Sequence, residues 1–323
     1  MSKHSFTLKK KDLQVIDFTL SVNELSEVEC EINYLFRDKS ILPYGMEIEA
    51  ASVLSWLKNR FIPKNRRHVE KILSLLEDSD QPRLINLLKV TLGLSLTDDY
   101  WVVTQGADLL WGDYNLYRND FSEALSLIAF TGYGTKIRGF RSSPEFTTDG
   151  MLKKCWRRIE GKVYLYKGGT EGYANAGNEP YSEFYASQLA EALSLNHVKY
   201  GLEKWNDSMC STCELFTSED KSFVPAYLKY KNMKIADILK MESKDVYDQL
   251  VDMMMLDVLI INEDRHFGNF GAIRQYLTDK HRAKLRGILN FKLIKHPKYN
   301  LDDNRLKIIN DQIINRARQL LQG

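Results

Sequence analysis

A dense group of polar residues follows a strongly apolar stretch late in the chain. Asp264, His266 and Asn269 lie within ten residues that also contain two glycines, directly after Met253–Ile261. The Asp264 carboxylate could accept a proton from an attacking hydroxyl, and the Asn269 amide oxygen could bind a divalent metal ion. A loop at the end of a buried helix is held rigidly, which suits chemistry that depends on position. The alternative is a capped turn between two elements, and a catalytic loop is favoured over it once the lysine and glutamate described next are considered together with this group.

A lysine and a glutamate upstream could act with that loop. The strand predicted at 162–167 places Lys167 on the same face as two apolar residues, where an ammonium needs a carboxylate or a ligand phosphate. Glu183, on the helix predicted after the glycine-rich stretch 168–177, could pair with it. Taken alone, each residue has a plainer explanation, because Lys167 could reach water at the strand end and Glu183 could be an exposed helix acid.

The elements that must position these residues are predicted from periodicity and turn chemistry. The order is a mixed α/β region, then a small β-rich unit with one helix, then a helical region. The predicted strands are 15–20, a hairpin of 151–159 and 162–167 closed by Glu160–Gly161, and two strands within 198–216. The predicted helices lie within 51–95 and at 121–130 (capped by Asn119–Asp120), 180–193, 235–241, 246–261 and 302–321.

Composition excludes several classes of protein. The 323 residues are 44% hydrophobic and 27% charged with a net charge of +2, which excludes a global polyanion-binding field. The longest apolar run is far short of the roughly 20 residues of a membrane span. Four cysteines do not form a disulfide framework, so the expected location is the cytoplasm. Cys210 and Cys213 form a single Cys-x-x-Cys motif, whereas a zinc ribbon needs two. They lie in a predicted strand and are expected to be ordinary buried thiols.

The segment 58–68 is the strongest basic run in the first half of the chain. Basic residues with one aromatic could contact nucleic acid. A solvated helix end is the commoner origin of such a run, so direct nucleic-acid binding is not expected.

A strand lysine, a glutamate on the next helix and Asp-x-x-x-x-Asn after an apolar helix occur in the same order in protein-kinase-like phosphotransferases. The form Asp264-Arg-His-x-x-Asn269-Phe, with Asn178-Glu-Pro-Tyr-Ser-Glu183-Phe-Tyr, resembles the HipA-like kinases, bacterial Ser/Thr kinases of toxin–antitoxin origin. The resemblance covers about 140–271 and implies an α+β, two-lobed protein-kinase-like fold with an added mixed α/β N-terminal domain. The expected domains are 1–135 (N-terminal), 136–216 (β-rich upper lobe) and 217–323 (helical lower lobe).

The resemblance also implies a site. It predicts ATP and Mg²⁺ as cofactors, Asp264 as catalytic base, and Lys167 on the phosphates, paired with Glu183. The other implied residues are Thr148, Asp149 and Gly150 in a phosphate-covering loop, Glu214 and Phe216 in the adenine-binding hinge, His266 beside the phosphates and Asn269 at the metal. Ser142 and Ser143 are candidates for self-phosphorylation. The implied partners are a protein substrate and a helix-turn-helix antitoxin.

One departure from the kinase pattern leaves alternatives open. A second metal ligand normally comes from an Asp-x-Gly unit one hairpin strand beyond the asparagine. No Asp-x-Gly occurs between Asn269 and Gly323, and Asp279 stands near the expected hairpin turn. Three hypotheses therefore remain: an active Ser/Thr kinase, a catalytically degenerate nucleotide- or protein-binding regulator, and a nucleic-acid-binding regulator that uses 58–68.

Overall fold

The chain folds into two compact units. A computed structural model describes residues 3–37, 39–64, 66–74, 82–134, 142–148, 150–172, 176–230, 233–262 and 279–322. The first unit comprises Met1–Lys167 and Leu215–Lys229, and the second comprises Gly168–Glu214 and Tyr230–Gly323. In these described ranges, no helix is both long enough and apolar enough to cross a membrane.

The secondary structure is mixed, as the sequence predicts. The strands are β1 (Lys3–Lys10), β2 (Leu13–Val22), β3 (Val28–Leu35), β4 (Tyr100–Thr104), β5 (Lys154–Ile159), β6 (Lys162–Gly168), β7 (Tyr200–Trp205) and β8 (Ser208–Glu214). The helices are α1 (Ala50–Asn59), α2 (Val69–Leu73), α3 (Arg83–Thr91), α4 (Trp111–Tyr114), α5 (Glu123–Thr131), α6 (Glu179–Ala192), α7 (Ala226–Lys229), α8 (Ile235–Met241), α9 (Lys244–Ile260), α10 (Asp279–Ile288) and α11 (Asp303–Gln322). Short 3₁₀ turns lie at Lys39–Ile41 and Pro144–Phe146.

A four-stranded antiparallel sheet, in the order β3-β2-β1-β4, is the frame of the first unit. Alternate residues of β1 and β2 point to one face, where helices α1 and α3 cover them. The strand predicted at 15–20 is confirmed as the centre of β2, whereas β1, β3 and β4 were not predicted. The residues buried between this sheet and the two helices include Phe6, Leu8, Ile16, Phe18, Leu20, Val53, Leu57, Ile85 and Leu88.

Helix α5 is confirmed with a different cap from the one predicted. The Ser122 hydroxyl accepts a hydrogen bond from the Leu125 N–H at 3.2 Å, so the cap is not at Asn119–Asp120. The Asn119 amide donates instead to the carbonyl oxygens of Gly112 and Asn115, which closes the preceding turn. The helix ends at Gly132 with φ +74°, the left-handed conformation expected of a glycine stop.

The predicted hairpin forms, and the two strands predicted within 198–216 pair as a second hairpin. Strands β5 and β6 pair from Lys154↔Lys167 to Ile159↔Lys162 within the first unit. Their turn, Glu160–Gly161, has positive φ at both residues, +50° and +80°, as the tight turns that match strand twist require. Strands β7 and β8 form the corresponding hairpin of the second unit.

The second unit packs its helices around a shared apolar core. The predicted helices at 180–193, 235–241, 246–261 and 302–321 are confirmed as α6, α8, α9 and α11. Apolar residues three and four positions apart form the facing stripes. The buried core residues are Leu189, Leu193, Leu239, Val251, Met254, Met255, Leu259, Leu285, Ile288, Ile313, Ala317 and Leu320.

Candidate functional site

Two lysines stand opposite each other on the β5–β6 hairpin. Lys154 begins β5 and is the direct cross-strand partner of Lys167, near the end of β6. Cross-strand partners project from the same face of a sheet, so both ammonium groups leave the hairpin on one side. Lys154 is only 7% exposed, and Lys167 is half-buried. Of the two, only Lys167 was predicted to contact the phosphates.

The predicted phosphate-covering loop lies against the same end of the hairpin. The Thr148 hydroxyl donates to the Pro144 carbonyl at 2.6 Å and accepts the Trp156 indole N–H at 2.8 Å. Gly150 has φ +93°, and the Lys154 Nζ occupies the place where a Cβ at position 150 would stand. The positive φ favours glycine here, because a side chain would strain the backbone and would also displace the Lys154 ammonium. Thr148, Gly150 and Lys167 are thus brought to one end of the hairpin.

A buried arginine fixes the backbone of this loop. The Arg66 guanidinium donates to the carbonyl oxygens of Thr148 at 3.0 Å and Lys154 at 2.7 Å. It also pairs with the Glu145 carboxylate at 3.2 Å, and neither side chain has any exposed surface. An ion pair that is fully removed from water holds its geometry, since each charge left alone would be costly.

Glu145 connects the loop to β5. Its carboxylate accepts the Trp156 backbone N–H at 2.8 Å as well as the Arg66 ion pair. Burial raises the pKa of the Glu145 carboxyl to about 7, against the opposing attraction of Arg66. Neither residue was predicted to be functional, and no local motif identifies them, because they are 79 positions apart.

The basic segment 58–68 is not simply a solvated helix end. Arg60 is buried and makes a two-pronged ion pair with Asp98 at 2.6 and 2.8 Å, and Arg66 is buried against Glu145. The expectation of solvated cations is wrong for these two arginines, because each has a carboxylate partner distant in sequence. Both are withdrawn from any surface that could contact nucleic acid.

In the second unit, α6 carries Glu183 at a position where it meets β8. The Glu183 carboxylate accepts a hydrogen bond from the Ser211 hydroxyl. Ahead of the helix, the Thr170 hydroxyl donates to Glu179 at 2.5 Å, and Gly169 packs so closely on Gly177 that a Cβ at position 169 would lie 2.6 Å from the Gly177 Cα. Gly177 itself has φ +89°, a conformation that favours glycine.

A strap of residues 289–302 holds the adjacent face of α6. The Gln188 amide donates to the Ile294 carbonyl at 2.6 Å and accepts the Ile294 N–H at 2.7 Å. One turn earlier, the Phe184 ring meets the His296 ring edge-on at 5.5 Å. The strap is fixed in turn to α11, where Asn310 bonds the backbone of Phe291 and Leu293.

The two predicted hinge residues flank the end of β8. Glu214 is its last residue, in the second unit, whereas Phe216 belongs to the first unit. The Phe216 ring is 56% exposed and contacts the Phe223 ring edge-on at 5.6 Å. Between them, the Leu215 N–H donates to the Val163 carbonyl at 2.8 Å, which fixes the chain as it leaves the strand.

The remaining predicted site residues, Asp149, Asp264, His266 and Asn269, lie outside the described residues. The approach to their loop is described. Helix α9 ends at Ile260, and the next residue, Ile261, has φ +57°. The Asn262 amide donates to the buried Asp257 carboxylate at 2.8 Å. Among the side chains that the structure describes, no group of three His, Cys, Asp or Glu residues could hold a metal ion.

Other candidates from the sequence are buried. Cys210 and Cys213 are buried, as expected. Ser142 is 8% exposed and donates to the Thr91 carbonyl at 2.9 Å, and Ser143 is fully buried. Neither serine hydroxyl is accessible to a phosphoryl donor in this conformation.

A surface cleft of about 520 Å³ lies elsewhere in the first unit. Its two lysines are already paired, Lys10 with Asp99 at 2.8 Å and Lys11 with Asp220 at 3.0 Å. The cleft contains none of the predicted site residues.

Comparison with known proteins supports the fold. No protein-family model matches the chain, and no curated protein matches it. The structure of the toxin–antitoxin protein HipA of Shewanella oneidensis MR-1, in complex with HipB and operator DNA, is similar with a TM-score of 0.57 and 11% identity, over 98% of this chain and 97% of that chain. The proinflammatory kinase CtkA of Helicobacter pylori aligns with a TM-score of 0.39 and 14% identity, over 52% of this chain and 91% of that chain, a likeness too weak to support an argument. The chain therefore has a mixed α/β fold similar to that of HipA over nearly its whole length.

Proposed function

We propose that the chain is an ATP- and Mg²⁺-dependent kinase that phosphorylates a serine or threonine of another protein. The observation that carries this proposal is the similarity of fold to HipA over nearly the whole chain. The position of Lys167, Thr148 and Gly150 at the same end of the β5–β6 hairpin also supports it, because the kinase resemblance implies that these residues contact the phosphates.

In the proposed reaction, the substrate hydroxyl oxygen attacks the γ-phosphorus of ATP. The bond between that phosphorus and the β–γ bridging oxygen breaks, ADP leaves, and the hydroxyl proton passes to Asp264. Lys167 binds the phosphates and Glu183 orients the lysine. Mg²⁺ would neutralise charge on the transferring group, with Asn269 supplying one ligand oxygen. A protein antitoxin is a further proposed partner, since the similar HipA was solved with HipB and DNA.

The test is transfer of labelled γ-phosphate from ATP, with and without Mg²⁺, to the protein or to a generic acceptor. Wild-type protein is expected to label a serine or threonine, and Asp264→Asn and Lys167→Met are expected to label none. The matched control is Lys162→Met, which removes an exposed lysine from the turn end of the same strand. Equal labelling by wild type and Asp264→Asn would contradict the proposal.

A regulator that binds nucleotide without turnover is the second candidate. The absence of Asp-x-Gly between Asn269 and Gly323 favours it, because a kinase that lacks a main metal ligand should lose most of its activity. In the same experiment, ATP binding that is lost in Lys167→Met but produces no transfer in wild type would select this candidate.

A further inference from the structure

Strand β3 is the open edge of the sheet in the first unit. It lies at the end of the order β3-β2-β1-β4, and in the described part of the chain it pairs with β2 alone. The pairing is regular from Val28 to Ile32, and the next residue, Asn33, falls outside the register. An unpaired edge is a template on which another strand can be added.

The direction of the backbone hydrogen bonds alternates along β3. At the turn that joins β2 to β3, the Asn23 N–H donates to the Glu27 carbonyl at 3.0 Å. Successive residues of an antiparallel strand bond to opposite sides, so every second residue counted from Glu27 bonds to β2. The backbone N–H and C=O groups of the intervening residues Val28, Cys30 and Ile32 therefore point to the open edge.

The two faces of β3 differ in chemistry. Every second residue from Val28 to Ile32 is half-buried and packs against the apolar core beside α1. The two residues between them are exposed and form no ion pair with any residue that the structure describes. The open edge thus has an apolar row (Val28, Cys30 and Ile32) on one face and an acidic row (Glu29 and Glu31) on the other.

These two rows define the strand that fits beside β3. On the acidic face it needs lysine or arginine, because opposite charges on adjacent strands attract each other. On the other face it needs apolar residues, which would complete the burial of the apolar row. A second copy of β3 fits poorly, because it would set glutamate against glutamate. A nucleic acid would be repelled by the same carboxylates.

We propose that β3 binds an extended segment of a partner protein, in which lysine or arginine alternates with apolar residues. The segment would become a fifth strand of the four-stranded sheet. Its backbone would bond to the N–H and C=O groups of the apolar row, and its basic side chains would pair with the acidic row. This docking surface does not depend on the proposed kinase reaction.

The test is calorimetric titration of the full chain with a short synthetic peptide that alternates lysine and valine. Glu31→Lys is expected to raise the dissociation constant for this peptide about fivefold, because it turns a cross-strand attraction into a repulsion. The matched control is Glu123→Lys, which makes the same change of charge at an exposed position of α5. This control should bind the peptide as wild type does.

Amide hydrogen exchange, followed residue by residue by NMR, supplies a second readout. In the free protein, the N–H groups of the apolar row should exchange quickly, and those of the acidic row should be protected by their bonds to β2. The peptide should slow exchange in the apolar row and leave the acidic row unchanged. The absence of this alternation on binding would overturn the proposed strand addition.

A peptide of the same composition, with its lysines grouped at one end, tests whether the alternation matters. It should bind about tenfold more weakly than the alternating peptide, because it cannot match both rows at once. Equal binding of the two peptides would overturn the proposal in favour of general attraction between charges. Wild-type affinity in Glu31→Lys would also overturn it. Sedimentation that shows a dimer dissolved by Glu31→Lys would assign the edge to a second copy and refute the partner segment.

Discussion

The Arg66–Glu145 ion pair is the residue-scale feature on which the loop depends. Arg66→Met would remove hydrogen bonds to two carbonyls of the loop and leave the Glu145 carboxylate buried without its counter-charge. We expect the free energy of unfolding, measured by urea denaturation at pH 7, to fall by about 3–5 kcal/mol. The exposed neighbour Arg67 supplies the control, and Arg67→Met should change stability by less than about 0.5 kcal/mol. Similar losses in the two variants would mean that the ion pair is not the anchor.

Glu145 should also give stability a distinct pH dependence. Its folded pKa of about 7 lies above the ordinary value of 4.5, so the protonated form favours folding. This contribution is fully present below pH 4.5 and is lost as pH rises through 7, by up to about 3 kcal/mol. In Glu145→Gln this loss of stability between pH 4.5 and 7 should vanish. The control Glu123→Gln, at an exposed position, should lose stability with rising pH as wild type does. Urea denaturation between pH 5 and 8 measures the difference, and parallel curves for wild type and Glu145→Gln would contradict the assignment.

Sequence reasoning at this scale named candidate site residues but not the buried contacts around them. Lys167, Thr148 and Gly150 were proposed from strand alternation and from the kinase resemblance, and their role in phosphate binding stays a prediction. Arg66 and Glu145 could not be predicted, since an arginine in a basic run gives no sign of a carboxylate 79 residues away. Buried polar pairs are set by tertiary contacts, which periodicity does not encode.

At the scale of elements, α6 is held on two neighbouring faces. Glu183 and Ser187 share one face, where they bond Ser211 and the Tyr200 N–H, and Phe184 and Gln188 share the next, where they contact the strap. Each pair is spaced i, i+4, so the two sets of contacts fix the rotation of the helix about its axis. The direction of the Glu183 carboxylate is thereby set by both neighbours.

Gln188→Ala should loosen the strap. It removes two hydrogen bonds at a partly exposed site, so we expect a loss of about 1 kcal/mol in the free energy of unfolding. Amide hydrogen exchange, followed by mass spectrometry, should accelerate in the strap and remain unchanged in β1. Gln312→Ala, at an exposed position of α11, is the control. Unchanged exchange in the strap of Gln188→Ala would show that the ring contacts alone hold it.

Elements with a strong local signal were predicted, and those that depend on distant partners were not. Helix α11 has a full apolar stripe, and the β5–β6 turn contains Gly161, so each can be predicted from a short local stretch of sequence. Strand β1 offers only two inward apolar residues, Phe6 and Leu8, and β4 is a short apolar run that could equally be helical. These two strands pair with each other across roughly ninety intervening residues, a contact that no local pattern contains.

At the scale of the whole molecule, the chain is similar to HipA in fold although the two sequences have little in common. The chain shares 11% identity with HipA, yet the two align over nearly their full lengths. Such divergence is possible because a core requires apolar residues of suitable size at the right period and not particular residues. Activity has no such tolerance, since it depends on the few side chains that touch the ligand.

Ligand binding should be visible in the stability of the whole chain. A ligand that binds only the folded protein stabilises it by about 2.7 kcal/mol at one hundred times its dissociation constant, so ATP should raise the melting temperature by a few degrees. At the same ATP concentration, the rise should shrink in Lys167→Met, because this variant weakens the proposed phosphate contact. It should persist in Lys162→Met and Lys153→Met, which remove lysines directed elsewhere. Scanning fluorimetry measures the rise in melting temperature. Comparing the rise with ATP and the rise with adenosine separates the contribution of the phosphates from that of the base. An equal rise in all three variants would locate the nucleotide away from the hairpin.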